Sequence, residues 1–135
     1  MAPGRAVISA GAPAHGQSLY QATEPMERPW GWYQVIAQAP GRLIKRIGVN
    51  PGQQISLQKH GQRSEHWLVV QGVVHVTLGE KELDLLVGQH VDIAVGEVHR
   101  LANRTLEPAE ILEVQFGAYL GEDDIVRLSD DYGRT

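Results

Sequence analysis

The chain has 135 residues, among them fifteen Gly, seven Pro and no Cys, and a formal net charge of −4. That length suits one domain with its own core. The composition excludes disulfides and thiolate metal sites, and the charge argues against general affinity for nucleic acid or anionic membrane.

Residues 1–20 are small, Gly- and Pro-containing and without hydrophobic period, so a flexible tail dispensable for folding is expected there, with one domain over 21–135. Residues 6–14 are too short and too weakly apolar for a secretory signal, and no apolar run reaches transmembrane length. A cytoplasmic protein is expected. Glu27 to Tyr33 brings Trp30, Trp32 and Tyr33 together beside Pro29 and Gly31. Clustered aromatics of this kind usually pack, and an aromatic plug at one end of a sheet is the expectation.

Strands are expected over 33–37 and 42–49, joined by Pro40-Gly41, then over 55–60, 65–71, 73–78, 83–87, 90–93, 99–102 and 110–116. The recurrence every eight to twelve residues or so, with turn residues between, indicates an all-β sandwich or barrel. The tail from Gly121 is polar and acidic, and Glu122 to Asp124 suit the start of a helical turn.

The stretch from Gln58 to Gly72 concentrates the candidate chemistry. Gln58 and His60 are two residues apart, so a strand turns both side chains to one face. After a short polar loop, Gly61 to Ser64, Glu65 opens the next strand and can return to the same point. His99 is the candidate fourth ligand. An amide oxygen, two imidazoles and a carboxylate suit Zn²⁺, the first expectation, or another divalent first-row ion. Alternation turns His66 away from Glu65, places Trp67 on the Glu65 face and makes Arg100 a surface residue. Asn103 is expected to build a turn, and His75 and His90 have no partner pattern.

These residues carry a resemblance. Gln58-x-His60-x4-Glu65-x6-Gly72 resembles the first cupin motif, with Gln in place of its first His. Gly88-x5-Ala94-x-Gly96-x2-His99-x3-Asn103 resembles the second, with Ala94 where Pro is usual. Further blocks, Arg28 to Gly31, Lys45 to Ile47, Arg63 to Trp67, Glu113 to Gln115 and Tyr119 to Arg127, look like the isomerase domain of type II phosphomannose isomerases, over about residues 25–134. In that family a mannose-1-phosphate guanylyltransferase domain usually precedes this one, and no Gly-rich phosphate loop of its kind occurs in these residues. Gly61 and Gln62 stand where His-rich residues are usual, and Lys59 replaces an apolar residue.

The resemblance implies a cupin-type double-stranded β-helix (jelly-roll) barrel, and a homodimer is expected because a small open-ended sandwich gains from covering its edge strands. It implies metal-dependent conversion of mannose 6-phosphate to fructose 6-phosphate through an enediol. Gln58, His60, Glu65 and His99 would hold the metal, and Arg63 on the loop rim and Arg127 would hold the phosphate of a small sugar-phosphate substrate. The carbon acid chemistry needs a base; the sequence leaves it unidentified, with Glu113 a candidate whose face it does not assign. The competing reading is a stand-alone sugar- or metal-binding cupin without catalysis.

Overall fold

The computed structural model describes residues 22–134. These residues form eleven strands in two antiparallel sheets: β1 (Met26–Arg28), β2 (Gly31–Ala39), β3 (Arg42–Val49), β4 (Leu57–Lys59), β5 (Arg63–Gln71), β6 (Val74–Leu78), β7 (Lys81–Leu85), β8 (His90–Ile93), β9 (His99–Ala102), β10 (Ala109–Gly117) and β11 (Val126–Ser129). One sheet has the order β1-β2-β3-β10-β5-β8 and the other β11-β4-β9-β6-β7. The architecture is the expected all-β double-stranded β-helix. Among the described residues no helix is long and apolar enough to cross a membrane. The expected tail at 1–20 lies outside the described residues.

Strict alternation builds the interior. Along β5, Arg63, Glu65, Trp67 and Val69 are buried while Ser64, His66 and Leu68 are less so. Ala109, Ile111, Glu113 and Gln115 do the same on β10, and Leu43, Lys45, Ile47 and Val49 on β3. The register then aligns like with like. Ile111 lies between Ile47 and Val69, whereas Glu113 lies between Lys45 and Trp67, and Gln115 between Leu43 and Glu65. One half of the barrel is therefore an apolar plug, which Val74, Val76 and Leu101 complete from the second sheet. The other half is polar.

Three expectations are corrected. Glu122 to Asp124 form a turn with no helix, because the segment that follows enters a sheet as β11. The 55–60 strand shrinks to β4, since Gln54 pairs with Ala102 only as an isolated bridge and Ile55 N–H donates to Leu101 O at 3.0 Å. The aromatic stretch includes β1 and a tight turn into β2: Gly31 is fixed there because a Cβ would lie 2.0 Å from Gly48 O. Trp30 does enter the core, as expected of a plug, while Trp32 lies against Gly48 on the sheet's other face.

Gly72, which ends the first motif, has φ +74° and no room, since a Cβ would sit 2.5 Å from Pro108 O. Gly79 has φ +61° with nothing within 4 Å. Gly79→Ala should cost about 1 kcal/mol from backbone strain alone, and Gly72→Ala about 2 kcal/mol or more because the neighbouring backbone must also move. Urea denaturation midpoints of the two variants check this. Equal losses would remove the close approach as the reason for Gly72.

Candidate metal centre and anion-binding cavity

His60, Glu65 and His99 converge inside the polar half of the barrel. Their ligand atoms lie within 4.8 Å of one another, and all three residues are buried. Three strands bring them together. Glu65 points inward from β5. His99 opens β9 directly opposite Gln58 of β4, so the Gln58 and His99 side chains share a face. His60 follows β4 immediately, its backbone carbonyl accepting from Gly96 N–H at 2.8 Å.

Hydrogen bonding fixes how both imidazoles face the centre. His60 Nδ1 lies 2.7 Å from Asp124 O, and His99 Nδ1 lies 2.8 Å from Glu97 O. A carbonyl only accepts, so each ring donates Nδ1–H and turns the Nε2 lone pair inward. His99 Nε2 is buried with no hydrogen-bond partner. Burial, the largest influence, lowers the His99 pKa and outweighs the attraction of Glu65. Two inward imidazole lone pairs beside a carboxylate, each ring oriented by a carbonyl behind it, fit a divalent metal ion.

Glu65 is the charged hub. Its Oε2 accepts from Arg63 Nε at 2.8 Å and its Oε1 from Trp67 Nε1 at 3.0 Å. Burial alone would raise its pKa, but the hydrogen bonds it accepts and the charge of Arg63 lower it well below the usual carboxylate range. Trp67 Nε1 also reaches Glu113 Oε2 at 2.9 Å, and Gln115 Nε2 donates to Glu113 Oε1 at 2.7 Å. Glu113 thus faces inward, which its sequence context did not assign. Burial, then the charge of Glu65, pushes its carboxyl up to about 8, against the opposing pull of Lys45.

An open cavity adjoins these residues, lined among others by Gln58, Arg63, Glu65, Glu113 and Arg127, with Arg28, Lys45 and Arg134 also at its wall. Arg63 is not the rim residue expected. Its strand starts two residues early, alternation turns it inward beside Glu65, and it is only 5% exposed. Its Nη2 lies 3.2 Å from His60 Nε2, while Nη1 is buried without a partner. Arg127 pairs in register with Gln58 and so shares its inward face. Arg127 forms no ion pair among the described residues, and its Nε is buried and unpartnered.

Other residues fall where alternation places them. His66 faces outward onto Asp92, and Asn103 builds a turn by donating to Val49 O and Glu107 O at 2.9 and 2.7 Å. His75 contacts Asp84 and Glu82 through its two ring nitrogens. Arg100 is more than a surface residue, since it donates to Ile55 O and to Ser129 O and ties the C-terminal tail down. Arg134, near the chain end, is held by Asp130 at 2.7 Å. Three contributors escaped the sequence reading: Lys45, paired with Glu122 at 2.6 Å, Arg28, and Asp124 behind His60. The C-terminal block had stood out only through its resemblance, with nothing to say that it closes the site.

Residues 15–130 match the mannose-6-phosphate isomerase C-terminal family. The chain belongs to that family. Among curated relatives, it is 52% identical over 108 residues to the xanthan biosynthesis protein XanB of Xanthomonas campestris pv. campestris, covering 80% of this chain and 23% of that protein. It is 42% identical over 118 residues to a mannose-1-phosphate guanylyltransferase of Klebsiella pneumoniae, covering 87% of this chain and 25% of the relative. The chain thus spans about a quarter of the length of these relatives. Among solved structures, a conserved protein with a double-stranded β-helix domain from Klebsiella pneumoniae subsp. pneumoniae superimposes with a TM-score of 0.63 at 20% identity, covering 86% of this chain and 88% of that one. That likeness supports the fold of this isomerase-family domain.

Elemental analysis of protein purified without chelator should find about one divalent ion per chain. His60→Ala and His99→Ala should each remove most of it. Full metal retention in both variants would end the assignment of this centre.

Proposed function

We propose that this chain is a metal-dependent aldose–ketose isomerase domain that converts mannose 6-phosphate to fructose 6-phosphate. The observation that carries the reading is a His60–Glu65–His99 centre that shares Glu65 with an open cavity, whose wall includes Arg63 and Arg127, each with an unpartnered guanidinium N–H group. Family membership and the polysaccharide-biosynthesis relatives support the choice of sugar phosphate.

His60, Glu65 and His99 hold the metal, with Gln58 as fourth ligand from its place opposite His99. A divalent ion there, Zn²⁺ first among candidates, would draw electron density from the sugar's C–O groups and stabilise negative charge as it develops. Arg127 Nε and Arg63 Nη1 hold the phosphate, and their pre-set positions fix the sugar's register along the cavity. Glu113 is the proton carrier, because its carboxyl lines the same cavity and is held by Trp67 and Gln115. In its ionised form, favoured as pH rises towards 8, it removes the C2 proton of the aldose while water protonates the C1 carbonyl oxygen, which forms the enediol. Returning the proton to C1, with loss of the O2 proton, yields the ketose. A homodimer in the cytoplasm belongs to the same reading; exposed Val70 and Phe116 supply apolar surface for it.

A coupled assay of fructose 6-phosphate formation with added Zn²⁺, Co²⁺ or Mn²⁺ tests the activity. An enediol route also places solvent tritium at C2 of mannose 6-phosphate during turnover. Absence of both turnover and exchange, with sugar phosphate still bound, would replace the enzyme by a binding module. Arg127→Ala should lower kcat/KM about tenfold to a thousandfold while metal content and folding persist. An unchanged kcat/KM would remove Arg127 from the phosphate site.

A further inference from the structure

The two histidines of the centre are oriented by different means. His99 donates Nδ1–H to Glu97 O, two residues away in its own loop. His60 donates to Asp124 O, which lies 64 residues away in the C-terminal tail. Nothing local to His60 would keep that carbonyl in place. What keeps it there is the side chain of the same residue. Asp124 Oδ1 accepts from Gly61 N–H and Oδ2 from Gln62 N–H, each at 2.8 Å. Both carboxylate oxygens therefore grip the two-residue loop directly after His60. The Gly61 backbone lies directly against the carboxylate, since a Cβ there would stand in contact with Asp124 Oδ1 at 3.4 Å.

We propose that Asp124 is a positioning residue whose carboxylate, fastened to the Gly61 and Gln62 amides, holds its own carbonyl on His60 Nδ1 and so keeps His60 Nε2 turned to the metal. This rests on the metal reading above. One residue thereby does two things. It satisfies two loop amides that would otherwise compete for other acceptors, and it selects one imidazole tautomer out of two. The neighbouring contacts draw the tail in the same direction, with Lys45 on Glu122 and Arg127 opposite Gln58. His99 provides an internal control, because its orienting carbonyl does not depend on the tail.

The test compares wild type, Asp124→Ala and Asp124→Asn. Zn²⁺ dissociation constants are measured by competition with a chromophoric chelator, and the metal-free histidine tautomers by ¹⁵N NMR. Wild-type His60 should be the Nδ1–H tautomer. In Asp124→Ala the dissociation constant should rise about 10- to 100-fold, as for other residues that orient a ligand from behind. His60 should become a mixture of tautomers while His99 is unchanged. Asp124→Asn keeps one acceptor oxygen and presents an NH₂ to the other amide, so it should fall between the two. If the alanine variant does not fold, the asparagine variant carries the test. An unchanged His60 tautomer, or a loss of thermal stability with zinc affinity intact, would overturn the proposal. If the wild type binds no zinc, the metal reading fails, and the tautomer measurement still decides the role of Asp124.

Discussion

The polar half of this barrel depends on one buried charge. Glu65 lies inside a β-sheet sandwich, 3% exposed, where an unpaired carboxylate would be untenable. Its neighbours answer it: Arg63 and Trp67 donate to it from its own strand, and His60 and His99 approach from the other side. Because strand alternation places Arg63, Glu65 and Trp67 on one face, a single segment supplies the charge and two of its donors. Glu113 is then drawn in through the shared Trp67 indole, and its carboxyl is pushed up by burial first and by the charge of Glu65 second.

Such a network is stable only where water is excluded on the far side. The row Ile47–Ile111–Val69 provides that wall, two residues along the same strands from Lys45–Glu113–Trp67. The strands that make the core therefore also aim the reactive groups. Local packing thus fixes geometry more tightly than a loop-borne site would.

The inward turn of Glu65 and Trp67 on β5 was legible as period-two alternation, and the spacing of Gln58, His60 and Glu65 predicted their convergence. The cupin resemblance carried the fold as a whole. What stayed hidden has physical reasons. Arg63 was read as a loop residue because Gly61 and Gln62 look like the start of a longer turn; the Asp124 carboxylate, far off in sequence, shortens it. β11 inverts the usual pattern, with Val126 and Leu128 half exposed and Arg127 turned in, so hydropathy points the wrong way. Glu113 was ambiguous because a carboxylate on a late strand belongs on the solvent face unless its partners are known.

The closure of the cavity differs in kind from the rest of the barrel. β11 meets only β4, and β4 meets β9 through the single pair Gln58–His99. The tail is otherwise held mainly by polar contacts: Glu122 on Lys45, Asp124 on the loop amides, Ser129 O on Arg100 and Asp131 on Gln54. Apart from Tyr132, which packs against the core, releasing it exposes little apolar surface, so the release carries less heat capacity and less sensitivity to urea than unfolding of the core. Ionic strength is the stronger lever, because Glu122 is 59% exposed and its attraction to Lys45 is partly screened. The mouth of the barrel and its core thus respond to different properties of the solvent, and salt can loosen one while leaving the other intact.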